Sequence, residues 1–171
     1  QTRTQEEIVF VGSRYPNRVQ LLEHLSGHGV PVRAYGRGWS HHPVDQLRTW
    51  EWARPDLPSE RDIPLAQAYA VQARAAAALN VHGLQEGLAM RTFEVPGMNG
   101  IQLIDRPDVE EFYDPGTEVL IYRSPEQLLE LSRRVLADRP WSERIRAAGR
   151  ARTLAQHTFA HRAREVQKLW D

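Results

Sequence analysis

The sequence contains no cysteine and a single lysine, Lys168. The first absence excludes disulfides, a thiolate nucleophile and a cysteine-ligated metal. The second leaves nearly all positive charge on arginine, whose planar guanidinium grips phosphates and carboxylates in a bidentate fork. Neither sign of charge is in excess, with 22 Lys and Arg against 22 Asp and Glu. Bulk electrostatics therefore give no drive toward nucleic acid or a membrane surface. No apolar run approaches the roughly 20 residues of a membrane span, and the opening QTRTQEE has none of the apolar core of a signal peptide. A cytoplasmic protein is expected. The dinucleotide fingerprint G-x-G-x-x-G is missing too, and so is H-E-x-x-H. His157 and His161 are four apart and His41 and His42 are adjacent, but no carboxylate completes a metal-binding pattern and Thr158 reads as a helix cap. No metal site is expected.

What is present is an alternation of short apolar strands and amphipathic helices in a length, 171 residues, that suits one domain. Glu7 to Val11 (EIVFV) is continuously apolar after its first residue and ends at Gly12, the pattern of a strand buried on both faces in a parallel sheet. After the loop GSRYPN, Val19, Leu21, Leu22 and Leu25 fall at helical spacing, and Gly27 and Gly29 close that helix. Val30 to Gly36 is a second strand, completing a βαβ unit. Residues 37–63 read mainly as loop. An alanine-rich helix over Leu65 to Ala73 leads to a strand at 75–81, and further strands are expected at 100–105 and 117–122. Ser124, followed by Pro and Glu-Gln, caps a helix over 125–137. Helices at about 141–155 and 159–170 finish the chain. The pattern predicts an α/β fold, a Rossmann-like doubly wound parallel sheet flanked by helices, whose ligands sit beyond the carboxyl ends of the strands. Gly12, Gly36 and Gly83 mark three such ends.

The stretch NVHGLQEGLAMRTFEVPGMNG, residues 80–100, is the densest in special residues. A helix starting near Leu88 or Ala89 would aim its free N–H groups and positive dipole end at the strand-end crevice, an anion site. Arg91 in a first turn is disfavoured by that dipole, and a bound phosphate would resolve the conflict. Glu94, one turn further, can accept two hydrogen bonds from a vicinal diol. Glu86 lies in the loop before the helix, and Pro96 ends or kinks it. The plainer reading keeps both glutamates solvated and pairs Arg91 with one of them. The first βα loop offers Gly12, the Ser13 hydroxyl, Arg14 and Arg18 near a helix N-terminus, and each arginine reads equally as a surface charge. His82, at a strand end, reads as a ligand contact or as a loop cap.

The motifs FVGSRYPNR–LL–L at 10–25, YGRGW at 35–39, LNVH at 79–82, RTFEVPGMNGIQLID at 91–105, FYDPGTEVLIYRSPEQL at 112–128 and AGRARTLAQHTFAHR at 148–162 together resemble one family. It is the C-terminal, donor-binding domain of GT-B glycosyltransferases, and within them the CgeB-like group with its glycosyl transferases group 1 domain. The resemblance spans nearly the whole chain and is poorest at 40–63. It implies a nucleoside diphosphate sugar as donor, with no metal required. Glu94, second of a Glu-x7-Glu pair, would bind the ribose hydroxyls, and Glu86, the first, would approach the donor sugar as the catalytic member. The helix N-terminus around Arg91 and Thr92 would take the diphosphate, assisted by Arg14 or Arg18. Asn99 stands where the family has glycine, and asparagine tolerates the left-handed turn expected there. The resemblance also implies an N-terminal acceptor domain beyond this chain, onto which helix 159–170 would pack. Without it, the apolar stripe of Val166, Leu169 and Trp170 is expected to give a weak homodimer. Two other readings stand beside this one: a nucleotide-binding module without transfer activity, and an interaction domain docking a partner through Trp39, Trp50 and Trp52.

Overall fold

The apolar run Ile8–Val11 is the central strand, β1, with Ile8, Val9 and Phe10 fully buried. In this computed structural model, which describes residues 6–83, 87–168 and 170, β1 lies between β2 (Val32–Tyr35) and β4 (Ala77–Asn80), parallel to both. The sheet is completed by β3 (Ser59–Glu60), β5 (Gln102–Ile104) and β6 (Leu120–Ile121) in the order β3-β2-β1-β4-β5-β6, with every pairing parallel. Helices α1 (Pro16–Gly27), α2 (Pro43–Thr49), α3 (Leu65–Arg74), α4 (Arg91–Gly97), α5 (Pro125–Ala137), α6 (Arg139–Gln156) and α7 (Phe159–Gln167) connect and follow the strands. This is the expected doubly wound, Rossmann-like α/β fold. Its strand order reverses between β1 and β4, and the crevice beyond their carboxyl ends is where such sheets bind ligands.

The alanines at 75–78 are all buried, and their small side chains let helices lie close to β4. Arg146 of α6 reaches into this junction and donates to the carbonyls of Ala73, Ala75, Ala76 and Asn99 at 2.7–3.2 Å. Asn99 itself takes the left-handed conformation (φ 67°), so the left-handed position of the turn after α4 is filled without glycine.

Residues 37–63 are more regular than their sequence suggests, since they contain α2 and β3. The N-cap of α2 is His42, whose ring Nδ1 accepts the Val44 N–H at 3.2 Å, and Pro43 occupies the first turn. Trp39 is not an exposed docking residue. It is 1% exposed, its Nε1–H donates to the Gly12 carbonyl at 2.9 Å, and it meets Phe10 edge-on at 5.6 Å. Trp50 and Trp52 do stand in solvent. The last helix ends at Gln167, three residues before the expected end.

Candidate functional site

Gly12 ends β1 with φ 151°, and Gly36 ends β2 with φ 145°, both in conformations that side chains rarely adopt. The two lie back to back: a Cβ on Gly36 would come 2.7 Å from the Gly12 carbonyl oxygen, and one on Gly12 would meet the Arg91 Nη1 at 3.6 Å. Arg91, the first residue of α4, therefore rests within ordinary contact distance of the end of β1, and it is the backbone conformation of Gly12 that calls for glycine. Across the switch point, a Cβ on Gly83 would come 2.9 Å from the Asn17 side chain, so the end of β4 meets the first turn of α1.

The three arginines expected at this crevice have different fates. Arg14 is ion-paired with Glu51, which also receives Arg54. Arg18 is spent on the scaffold, donating to the Ser13 carbonyl at 2.9 Å and the Val81 carbonyl at 3.0 Å, with its guanidinium 4.8 Å from the Tyr15 ring centre and 5.2 Å from that of Phe10. It ties the end of β1 to the end of β4. Arg91 is half-buried and makes no hydrogen bond or ion pair with any described residue. Burial pushes its pKa down, with Glu94 and Tyr69 opposing and the like charge of Arg18 adding to the fall. Two neighbouring guanidinium groups, one of them without a hydrogen bond or ion pair among the described residues, make a place where an anion is favoured.

Glu94 stands one turn along α4 and accepts the Tyr69 hydroxyl of α3 at 2.6 Å. The carboxylate raises the pKa of that phenol, which keeps its proton and remains the donor. Thr92 faces the opposite way. Its side chain is fully buried, with Oγ1 3.4 Å from Asn80 Nδ2, and its N–H donates to the Ala89 carbonyl at 2.9 Å. The N–H groups of Phe93 and Glu94 donate to Met90 O. The helix starts two or three residues later than its sequence suggests, and its first turn is partly closed on itself. The cation that α4 offers the crevice is therefore the Arg91 side chain more than the helix dipole.

His82 is buried with both ring nitrogens occupied. Nδ1 lies 3.1 Å from Asp105 Oδ1, and Nε2 accepts the Ala89 N–H at 3.0 Å. Of its two sequence readings, the loop cap describes this geometry. Asp105, at the end of β5, was missed by sequence reasoning, because only the alignment of β4 with β5 reveals that it meets residue 82. It accepts the N–H groups of His82 and Gly83 as well as the ring, at 3.0–3.1 Å. Burial pushes the Asp105 pKa up, but these donors outweigh it and hold the carboxyl below its usual range. Glu86 lies outside the described residues. The paired histidines of the last two helices are engaged internally: His157 Nε2 is 2.9 Å from Phe112 O, and His161 Nδ1 is 2.6 Å from the hydroxyl of the N-cap Thr158.

Two cavities lie among the neighbours of Arg91, one at Gly12 and one at Met90 and Glu94. One, of about 420 Å³, is bounded by Gly12, Ser13, Arg14, Gly36, Arg37, Gly38, Glu51 and Asp62. The other, of about 430 Å³, has Tyr69 and Glu94 at its edge and continues along Met90, Phe93 and Met98 to Leu154 and Phe159. Each has the volume of a small-ligand site.

A family described as glycosyl transferase-like matches residues 7–168. The chain belongs to the glycosyl transferase-like family. No curated protein matches the sequence. Among solved structures, TarM has the same fold over 98% of this chain at 9% identity and TM-score 0.72, and this chain spans 35% of it. A mutant of Staphylococcus aureus TarM, solved with fondaparinux, α-GlcNAc-glycerol and UDP, superposes over 100% of the chain and 36% of its own, at 7% identity and TM-score 0.73. The T4 phage β-glucosyltransferase in complex with UDP-glucose covers 91% of this chain and 47% of its own, at 11% identity and TM-score 0.62. Sucrose-phosphate synthase from Thermosynechococcus elongatus covers 96% and 45%, at 16% identity and TM-score 0.70. The chain thus spans less than half the length of each of these transferases, and at such identities the likeness is one of fold, here the GT-B type. No helix among the described residues is long and apolar enough to cross a membrane.

Proposed function

We propose that this chain is the donor-binding half of a GT-B glycosyltransferase, holding a nucleoside diphosphate sugar at the β1–β4 switch point. The observation that carries the reading is Arg91, a half-buried guanidinium without a partner among the described residues, resting on Gly12 one turn from Glu94. In this reading the diphosphate lies over Gly12 and Ser13 against Arg91. Arg18, already fixed on the Ser13 and Val81 carbonyls, adds positive potential from behind. Glu94, pre-oriented by the Tyr69 hydroxyl, accepts the ribose hydroxyls. In transfer, the bond between the sugar's anomeric carbon and the diphosphate oxygen breaks, and negative charge grows on the leaving nucleoside diphosphate. Arg91 is placed to stabilise that charge without reorganising, the most effective form of electrostatic catalysis. Glu86 is assigned to the donor sugar, and the acceptor to a further domain. UDP-glucose in one structural neighbour and UDP in another support the choice of ligand class.

The test is calorimetric titration of the chain with UDP and UDP-sugars, beside an Arg91→Met variant. Wild-type binding, weakened at least tenfold in the variant with its melting temperature unchanged, is the expected result for loss of a charge-assisted hydrogen-bond donor. Equal affinity of both proteins would remove Arg91 from the site, and no heat with any common nucleoside diphosphate would end the reading.

A further inference from the structure

The segment between β4 and α4 has to deliver Arg91 and Glu94 to the end of β1, yet α4 carries no side-chain cap of its own at Met90. Two of its described residues, Gly87 and Ala89, are held by side chains from beyond α4. Ala89, the residue before the cap, gives its N–H to His82 Nε2 at 3.0 Å, while its carbonyl takes the Thr92 N–H at 2.9 Å. Gly87 gives its carbonyl to Arg106 Nη1 at 3.2 Å. His82 is in turn fixed by Asp105. Both anchors therefore trace to Asp105 and Arg106, the two residues that follow β5.

The chemistry of the ring is forced. A carboxylate facing Nδ1 requires that nitrogen to carry the proton, and the Ala89 N–H facing Nε2 requires a lone pair there. His82 is thus neutral and held in one tautomer, donating on one side and accepting on the other. Few side chains can do both across a buried gap. A protonated ring would set one N–H against another at 3.0 Å.

We infer that His82 and Asp105 are positioning residues of the donor site: the Asp105–His82–Ala89 relay sets where α4 begins, and so where Arg91 and Glu94 stand over Gly12. The inference rests on the donor-site reading above but assigns these residues no contact with the ligand. It replaces direct ligand binding by His82 with indirect control through the backbone of Ala89.

The experiment compares the 171-residue chain with His82→Ala, His82→Gln and Asp105→Asn, reading amide hydrogen exchange from Ala89 to Glu94 and UDP affinity by calorimetry. In His82→Ala, exchange across this stretch is expected to rise about tenfold and UDP to bind about five- to tenfold more weakly, the scale of one hydrogen bond. The glutamine side-chain oxygen can accept the Ala89 N–H, so His82→Gln should return both readouts toward wild type, a rescue that a merely space-filling role would not give. Should His82→Ala fail to fold, Asp105→Asn, which keeps the volume and weakens the ring's anchor, is expected to raise exchange in the same stretch. Wild-type exchange from Ala89 to Glu94 in the folded variants overturns the inference. So does faster exchange with unchanged UDP affinity. Binding lost in Arg91→Met but intact in His82→Ala overturns the positioning role alone, whereas a wild-type chain that binds no nucleoside diphosphate overturns the donor site and this inference together.

Discussion

Three arginines converge on the end of β1, and only the nonlocal structure tells them apart. Arg14 is neutralised by a glutamate 37 residues away, and Arg18 is held by a carbonyl 63 residues away. No local pattern could have shown either, which is why the sequence treats all three alike. The spacing of Glu94 from Glu86 is visible in the sequence, but the contact of its carboxylate with the Tyr69 hydroxyl is not. Because that hydroxyl is the only hydrogen-bond partner of the Glu94 carboxylate among the described residues, Glu94→Ala is expected to leave the melting temperature within error while weakening UDP binding by about 1–3 kcal/mol. A variant that unfolds instead would make Glu94 structural. Asp105 gives a second test at this scale. Its pKa is depressed in the folded chain by the His82 and Gly83 donors, so the stability it contributes is present above its unfolded value, about 3.9, and is lost as pH falls through the lower folded value. Urea midpoints measured from pH 6 to pH 2 should fall on the acid side for wild type and fall less for Asp105→Asn. Parallel curves would show that Asp105 is not held as described.

At the level of elements, strands were read well because burial on both faces leaves a continuous apolar run, as in Ile8–Val11. The misread elements are those whose formation depends on distant partners. The capping ring of His42 is an unusual N-cap, and the two-residue β3 exists only because β2 pairs with it. The start of α4 was placed too early because Leu88 and Ala89 favour helix, while His82 holds the Ala89 N–H outside it. The position of α4 is also fixed from below by α6. A Cβ on Gly149 would lie 2.5 Å from the Glu118 carbonyl oxygen and 3.4 Å from Pro96. Gly149→Ala must therefore push α6 away, and a cost of about 1–3 kcal/mol in urea unfolding is expected, in the range of core overpacking. Arg146→Met should cost about 3 kcal/mol or more, because several buried carbonyls around β4 lose their donor at once. A loss below 1 kcal/mol in either variant would mean that α6 is free to shift on the sheet.

At the scale of the whole molecule, the core closes around the sheet but the C-terminal helix does not join it. None of the described residues of α7 is buried, and Phe159, Val166 and Trp170 are 78%, 54% and 86% exposed. Phe159 also borders the 430 Å³ cavity that runs back to Glu94, so the exposed apolar surface continues toward the candidate site. Apolar surface of this extent on a single chain favours association. We therefore expect the isolated chain to self-associate weakly, seen in sedimentation as a weight-average mass that rises with concentration. Phe159→Ser combined with Trp170→Ser should abolish the rise with little change in melting temperature, since neither side chain contributes to the core. A monomer up to millimolar concentration, together with strong amide protection from 160 to 168, would show instead that α7 is satisfied where it lies and that this face needs no partner.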